Sequence, residues 1–558
     1  MPGRRADFRG QGRKMFGGRY YCVGLRGAGG SQLRAALLAS TALVAAGLPA
    51  AAQDATWLAA PINGDYNYPR NWSSGTVPSG TAYFGASNIT SLSLYPNDET
   101  NRTDVGGWTF NAGAGNYTFA NDQSLNFNGA GIVINGGSAT ITVLDGGSLN
   151  FRNASTTGGA TINLPAYSGL NFYNTGSAGN AAITTYGYLN FYNTSTAGSA
   201  HITNYGDGGG DGGGIAGAVS FRDSSTAGSA TITNYGVIGF SDTSTAGSAA
   251  ITNNGGAAFV AFSGASTAGN ATITNNAHSL VGFYGTSTGG NAAIINAASG
   301  RVDFSGSTGP AGDSRLSVGS IAGAGDFFLG ARKLSVGGNN LSTEVSGVIS
   351  DCSVSPPCYA AGATGGSLVK TGTGTLTLSG VNTYTGATTV DGGILRVDGS
   401  IASSALTSVN GGSLLMGTGT VGDTTVNSGG SLLGGNGTAG ASLAISGNLA
   451  FQSGAMYLVA VNPATASFTS VTGTATLGGA TVNAVFAPRS YISKKYTILT
   501  ANGGVSGTFA ANPVNTNLPA NFHTALSYDA THAYLDLTLN YFSIPGGLNQ
   551  NQQAWATR

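Results

Sequence analysis

Residues 221–240 read Phe-Arg-Asp-Ser-Ser-Thr-Ala-Gly-Ser-Ala-Thr-Ile-Thr-Asn-Tyr-Gly-Val-Ile-Gly-Phe. Versions of its central phrase, Ser-Thr-Ala-Gly-Ser-Ala-Thr-Ile-Thr-Asn, also stand at Ser195–Asn204, Ser244–Asn253 and Ser266–Asn275. The leading Phe and the following Ile pair as Phe151 and Ile162, Phe172 and Ile183, Phe191 and Ile202, Phe221 and Ile232, Phe240 and Ile251, Phe262 and Ile273, and Phe283 and Ile294. The separation is 11 in every pair. The step from each Ile to the next Phe varies instead: 10, 8, 19, 8, 11, 10, then 10 to Phe304. The repeat therefore has one fixed arc and one free arc. The long step contains Asp207-Gly-Gly-Gly-Asp211, which reads as a loop inserted at one corner.

Gly and β-branched residues fill the unit, which argues against a helical repeat. Runs such as Ala-Thr-Ile-Thr-Asn alternate in and out as a strand does. Gly and Asn punctuate them where the chain must turn. A unit this short cannot bury its own apolar side, but stacked units can. The pattern predicts an all-β chain, a right-handed parallel β-helix closed by a C-terminal β cap. The Phe and Ile positions are expected to form inward columns, and the Asn positions a ladder. At ~20 residues per coil and ~4.8 Å per coil, the rod is on the order of 100 Å long.

Composition agrees. Of 558 residues, 93 are Gly, and charged residues make up only 8%, far below the ~25% of ordinary globular chains. The formal net charge is zero, but the balance is uneven. Eight of the 22 basic residues and one of the 22 acids precede residue 53, which leaves 14 against 21, a net of −7. No basic stripe supports nucleic-acid binding. Collagen, coiled coil and charge-swollen disorder are each excluded by period or composition.

The basic cluster heads an uncharged run, Ala35 to Gly47, and then Pro49-Ala-Ala-Ala52. This is the order of a secretory signal peptide, with cleavage expected after Ala52 and the start at Met1 or Met15. The apolar run is too short to span a bilayer. Export places the chain beyond the inner membrane. There Cys352 and Cys358, separated by Ser-Val-Ser-Pro-Pro, are expected to form a disulfide.

No catalytic, cofactor or metal set emerges. His201, His278, His523 and His532 are scattered, and no zincin, nucleophile-elbow or P-loop pattern occurs. Asp207 and Asp211 do not fit the calcium nonapeptide. The charges of the repeat region (Arg222 with Asp223, Asp242, Arg301 with Asp303) read as isolated, whereas a glycan-cleaving β-helix needs clustered carboxylates.

Residues 365–398, GGSLVKTGTGTLTLSGVNTYTGATTVDGGILRVD, resemble the passenger-associated transport repeat of bacterial autotransporters, the type V secretion proteins. Leu368, Lys370, Gly372, Gly374, Leu376, Leu378, Gly380, Asn382, Thr383, Tyr384, Gly386, Thr388, Val390, Gly393, Leu395 and Val397 carry the match. Leu376 with Leu378 and Leu395 with Val397 read as two strands joined by an Asn-Thr-Tyr-Thr-Gly turn. Gly-Gly-Ser-Leu-Leu at 411–415 returns at 429–433, as in further coils. Residues 441–540 resemble the autochaperone segment of such passengers, through Gly447–Phe451, Val471–Leu477, Tyr496–Thr500 and Leu526–Leu539. Residues 55–78, with Trp57 and Trp72, resemble their opening segment.

The chain then divides into a signal peptide (1–52), opening coils (53–150), repeat coils (151–350), a Cys/Pro loop (351–364), the transport repeat and following coils (365–440), the cap (441–540) and the start of a linker (541–558). The resemblance implies a non-enzymatic passenger at the cell surface or outer membrane, or secreted, acting in adhesion, aggregation or surface coating. It implies extracellular glycan or protein ligands, self-association, and an outer-membrane β-barrel partner whose strands this sequence does not contain. A β-helical glycan-active enzyme and a truncated inactive product stand as alternatives.

Overall fold

A computed structural model describes residues 52–95, 101–205, 217–256, 258–352 and 358–540. The leader, the Asp207–Asp211 insertion and the linker segment lie outside the described residues. Parallel strands stack into a β-solenoid, with no α-helix among the described residues.

The repeat region is built on two long sheets. One has 14 strands and takes the Phe-bearing strands, among them Ser148–Phe151, Gly169–Phe172, Tyr188–Phe191 and Ala218–Phe221. The other has 11 and takes the Ile-bearing strands, such as Thr161–Leu164, Ala182–Thr185 and His201–Asn204. Register is strict: Phe172 lies opposite Phe191, and Ile183 opposite Ile202. From Phe127 to Phe304 the rings stack at 4.6–5.2 Å between centroids. That interval is the strand spacing itself. A stacked aromatic pair adds about 0.5–1.5 kcal/mol beyond area burial, so each coil reinforces the next.

The 11-residue arc has a definite anatomy. Two residues after each Phe the backbone turns left-handed, at Asn153, Asn174, Asn193, Asp223, Asp242, Gly264 and Gly285. Five residues after Phe comes a third, single-residue ladder: Thr156, Ser177, Thr196, Thr226, Thr245, Thr267 and Thr288. Seven residues after Phe comes a second left-handed corner, always glycine. At Gly228, φ is 60°, and a Cβ there would meet the Gly198 carbonyl oxygen at 2.5 Å. Both the dihedral and the close approach demand glycine. Between the corners Ser225 and Ala227, and just past the second Ala230, point small side chains inward, all fully buried. Two corners and one bridge leave no room for an extra residue, which is why the spacing never departs from 11.

The free arc adjusts by one device. Where the Ile-to-Phe step is 10, a turn forms with its left-handed residue five after Ile, at Tyr167, His278 and Ser299. The turns close through Ser168 N–H to Pro165 O, Ser279 N–H to Asn276 O and Gly300 N–H to Ala297 O. Where the step is 8, Tyr186-Gly187 or Tyr235-Gly236 passes straight into the next strand.

At the opening end Trp57, Tyr66, Trp72, Phe84, Trp108, Phe110, Tyr117 and Phe119 are buried together. The Trp108 indole N–H donates to the Tyr66 hydroxyl at 3.1 Å, and burial pushes that phenol's pKa well above its ordinary value. Near residues 315–350 the cross-section changes. Three sheets of nine, eight and seven strands replace the earlier pair.

In this part Leu376 pairs with Leu395 and Leu378 with Val397, but in parallel, on successive coils. The expected two-strand turn is therefore a full coil containing another strand, Thr388–Val390. Its Tyr384 is buried, with the hydroxyl 2.7 Å from that of Thr388. The last coil is closed by antiparallel strands: His532–Leu539 lies between Lys494–Ala501 and Phe522–Tyr528. Leu535 and Leu537 point into the core.

Candidate functional site

The chemistry-bearing residues fall into four places: internal ladders, surface rows, the seam where the cross-section changes, and the cap. The internal ladder runs Asn204, Asn234, Asn253, Asn275, Asn296, all fully buried. Each Nδ2 donates to the next Oδ1 at 2.7–2.9 Å. Apart from Asn204 Oδ1 at the end of the row, these amides bond one another and the corner carbonyls, so they are structural.

The surface rows repeat the coil spacing. Asn171 and Asn190, half-buried, link through an Nδ2 to Oδ1 bond, and the row continues through the buried Asn150 and Asn126 to Asp104. Tyr173 and Tyr192 stack at 5.0 Å, with Arg152 over the first ring and Arg222 over the second. Tyr186, Tyr205 and Tyr235 form another file at 4.9 and 5.4 Å. At the first left-handed corner the side-chain oxygens of Asn174, Asn193, Asp223 and Asp242 each accept the N–H of the corner residue one coil earlier, at 2.7–3.2 Å. Asp223 and Asp242 are thus corner acceptors, not the isolated charges that the sequence suggests.

The seam carries the cysteines. Cys352 and Cys358 are joined as a disulfide, with Cα atoms 5.8 Å apart. They cluster with Phe328. Two carboxylates dock the surrounding segment. Asp303 accepts the Tyr359 N–H at 2.8 Å. Asp351 accepts the Thr385 hydroxyl at 2.6 Å and the Gly366 N–H at 2.8 Å. The Tyr284 hydroxyl, half-buried near Asp303 and Tyr359, is pushed up to about 12, first by burial and then by that carboxylate. Beside the disulfide lies a cleft of about 440 Å³ lined by Asp326, Phe328, Val348, Ser350, Asp351, Cys352, Thr364, Thr383 and Thr385. No sequence signal marks it, because its walls come from four separate segments.

One coil on, Lys370 is buried, and its ammonium donates to the carbonyls of Thr371, Gly372 and Gly392. Burial lowers its pKa. In the cap, Asp529 accepts from the Tyr534 hydroxyl at 2.7 Å and contacts His532 Nδ1 at 2.8 Å. The Tyr534 bond, then the Thr531 N–H and His532, hold this exposed carboxyl below the usual range. Among the described residues no serine hydroxyl bonds to a His ring, and no group of three or more His, Cys, Asp or Glu side chains is placed to hold a metal. His201 lies outward on a strand, and His278 occupies a turn.

The coils stack into long parallel sheets along which side chains repeat at coil spacing. The passenger-associated-transport-repeat family matches residues 368–397. Over 159 residues, 26% of this chain, the protein is 38% identical to an "Extracellular serine protease" of Serratia marcescens, covering 15% of that relative. Over 112 residues, 20% of this chain, it is 39% identical to "Adhesin BmaC autotransporter" of Brucella suis biovar 1 (strain 1330), covering 3% of that relative. The chain thus spans a small part of both relatives. It carries the autotransporter transport repeat within a β-solenoid, as the sequence resemblance implies.

Proposed function

We propose that this chain is an exported autotransporter passenger that works without catalysis, as a cell-surface adhesin or aggregation and coat factor. The observation that carries the reading is the transport repeat set in a solenoid whose outer faces repeat Asn, Tyr and Thr rows at coil spacing. Such rows offer many weak contacts in register, and multivalency converts them into firm attachment. The relative named an adhesin supports this reading. The reading includes a signal peptide cleaved after Ala52, an outer-membrane β-barrel as export partner, and glycan or protein ligands at the surface.

The relative named a serine protease motivates an enzymatic alternative. Display of the passenger on a non-adherent bacterium is expected to cause clumping or attachment to a substratum. Unchanged settling and attachment, with surface exposure verified by antibody, would overturn adhesion. Peptide or polysaccharide cleavage by the purified chain would favour an enzyme.

A further inference from the structure

We infer that the cleft beside the Cys352–Cys358 disulfide is a binding site for a neutral glycan chain. The inference rests on the adhesin reading and gives it a defined ligand site. Its size, about 440 Å³, lies within the ~300–1,000 Å³ of small-ligand clefts.

Its walls have two kinds of surface. Phe328, Val348 and the disulfide form an apolar floor, against which the C–H faces of a sugar ring lose water favourably. Around it stand Asp326, Ser350, Thr364 and Thr383, drawn from three coils. Among the described residues none of these four side chains has a hydrogen-bond or ion-pair partner, and Thr364 and Thr383 are exposed. The neighbouring Asp351 and Thr385 differ: they are consumed in docking the loop. The cleft therefore holds one free carboxylate and three free hydroxyls, which suit the donors and acceptors of a polyol. The carboxylate accepts sugar hydroxyls and repels anions, so uronate or sialylated glycans are disfavoured. No cation faces it from the cleft walls. The disulfide fixes one wall, so little ordering is needed on binding.

The test uses the purified chain and immobilised hexasaccharides: maltohexaose, cellohexaose, laminarihexaose and chitohexaose, with a hyaluronate oligosaccharide as the acidic comparison. At least one neutral probe is expected to bind, and the acidic one to bind at least tenfold more weakly. Asp326→Ala, at a half-buried side chain, and Thr383→Val, at an exposed one, remove no hydrogen bond and are each expected to weaken neutral binding about tenfold while the denaturation midpoint stays in place. Absence of binding to all four neutral probes, or binding by both variants as tight as that of the wild-type chain, overturns the inference. Cells displaying the wild-type chain separate it from the parent reading. If they clump while the purified wild-type chain binds none of the neutral probes, adhesion stands and this site falls. If wild-type cells do not clump while the cleft still binds glycan, the adhesion reading falls instead.

Discussion

At Gly228 one hydrogen atom separates a solenoid from a broken coil. The residue sits at φ 60°, and its α-carbon lies against the Gly198 backbone. Gly228→Ala adds left-handed strain of roughly 1–2 kcal/mol and forces the coils apart. Urea denaturation is expected to show a loss of at least that size, whereas Gly239→Ala, where a Cβ meets nothing within 4 Å, is expected to be near neutral. An equal effect at both positions would remove close coil approach as the reason for the glycine column. Asn193 and Asp223 teach a related lesson. They interchange along one corner ladder because the ladder asks only for a side-chain oxygen and a tolerance of φ > 0. From sequence alone an Asp in that row looks like a stray charge.

At the scale of one coil, the two arcs differ in what they tolerate. Two residues inserted after Tyr235, in the free arc, lengthen a surface turn at a loop-closure cost of less than about 0.6 kcal/mol. The same pair inserted after Ala227 displaces the Gly228 corner and rotates Ile232 out of its column. Far-ultraviolet circular dichroism and thermal melting are expected to show a native spectrum for the first variant and a collapsed or strongly destabilised one for the second. Similar behaviour of the two would show that the constant 11 has no structural cause.

The arcs are legible in the sequence because near-identical copies expose which distance varies. Where copies diverge, legibility falls. The repeated Gly-Gly-Ser-Leu-Leu returns after 18 residues, yet the structure pairs Leu415 with Leu432, a step of 17. The first copy buries its second Leu and the second copy its first. Alternation fixes a strand but not its phase, and a one-residue slip in the preceding turn decides which Leu faces in. The strands at 376–378 and 395–397 mislead in the same way. Local pattern shows two strands and a turn, while stacking across a whole coil makes them parallel neighbours.

For the whole molecule, stability is a sum over coils and coil interfaces. Deleting residues 221–239 removes one complete 19-residue unit and brings Phe240 to the place of Phe221. The shortened chain is expected to fold with an unchanged spectrum and a modestly lower denaturation midpoint, whereas deletion of 221–230 is expected to prevent folding. If the whole-unit deletion unfolds the protein, the coils are not interchangeable and the solenoid works as one indivisible core. The seam at 315–350 resists reading from sequence for a different reason. Its cleft gathers Asp326, Ser350, Thr364 and Thr383 from coils of unequal length, so no fixed spacing announces it.

The nine-ring Phe file and the hydrogen bonds beside it run from coil to coil, and this has a mechanical meaning. Tension applied at a terminus loads only the outermost coil's bonds to its neighbour, so the molecule yields by peeling. A released coil of 19–22 residues pays out a contour length of about 70 Å at ~3.5 Å per residue, and the 30-residue coil from Phe191 to Phe221 pays out more. A tether built this way dissipates a pull in separate instalments, and the coils beneath keep their structure while the outer ones give way.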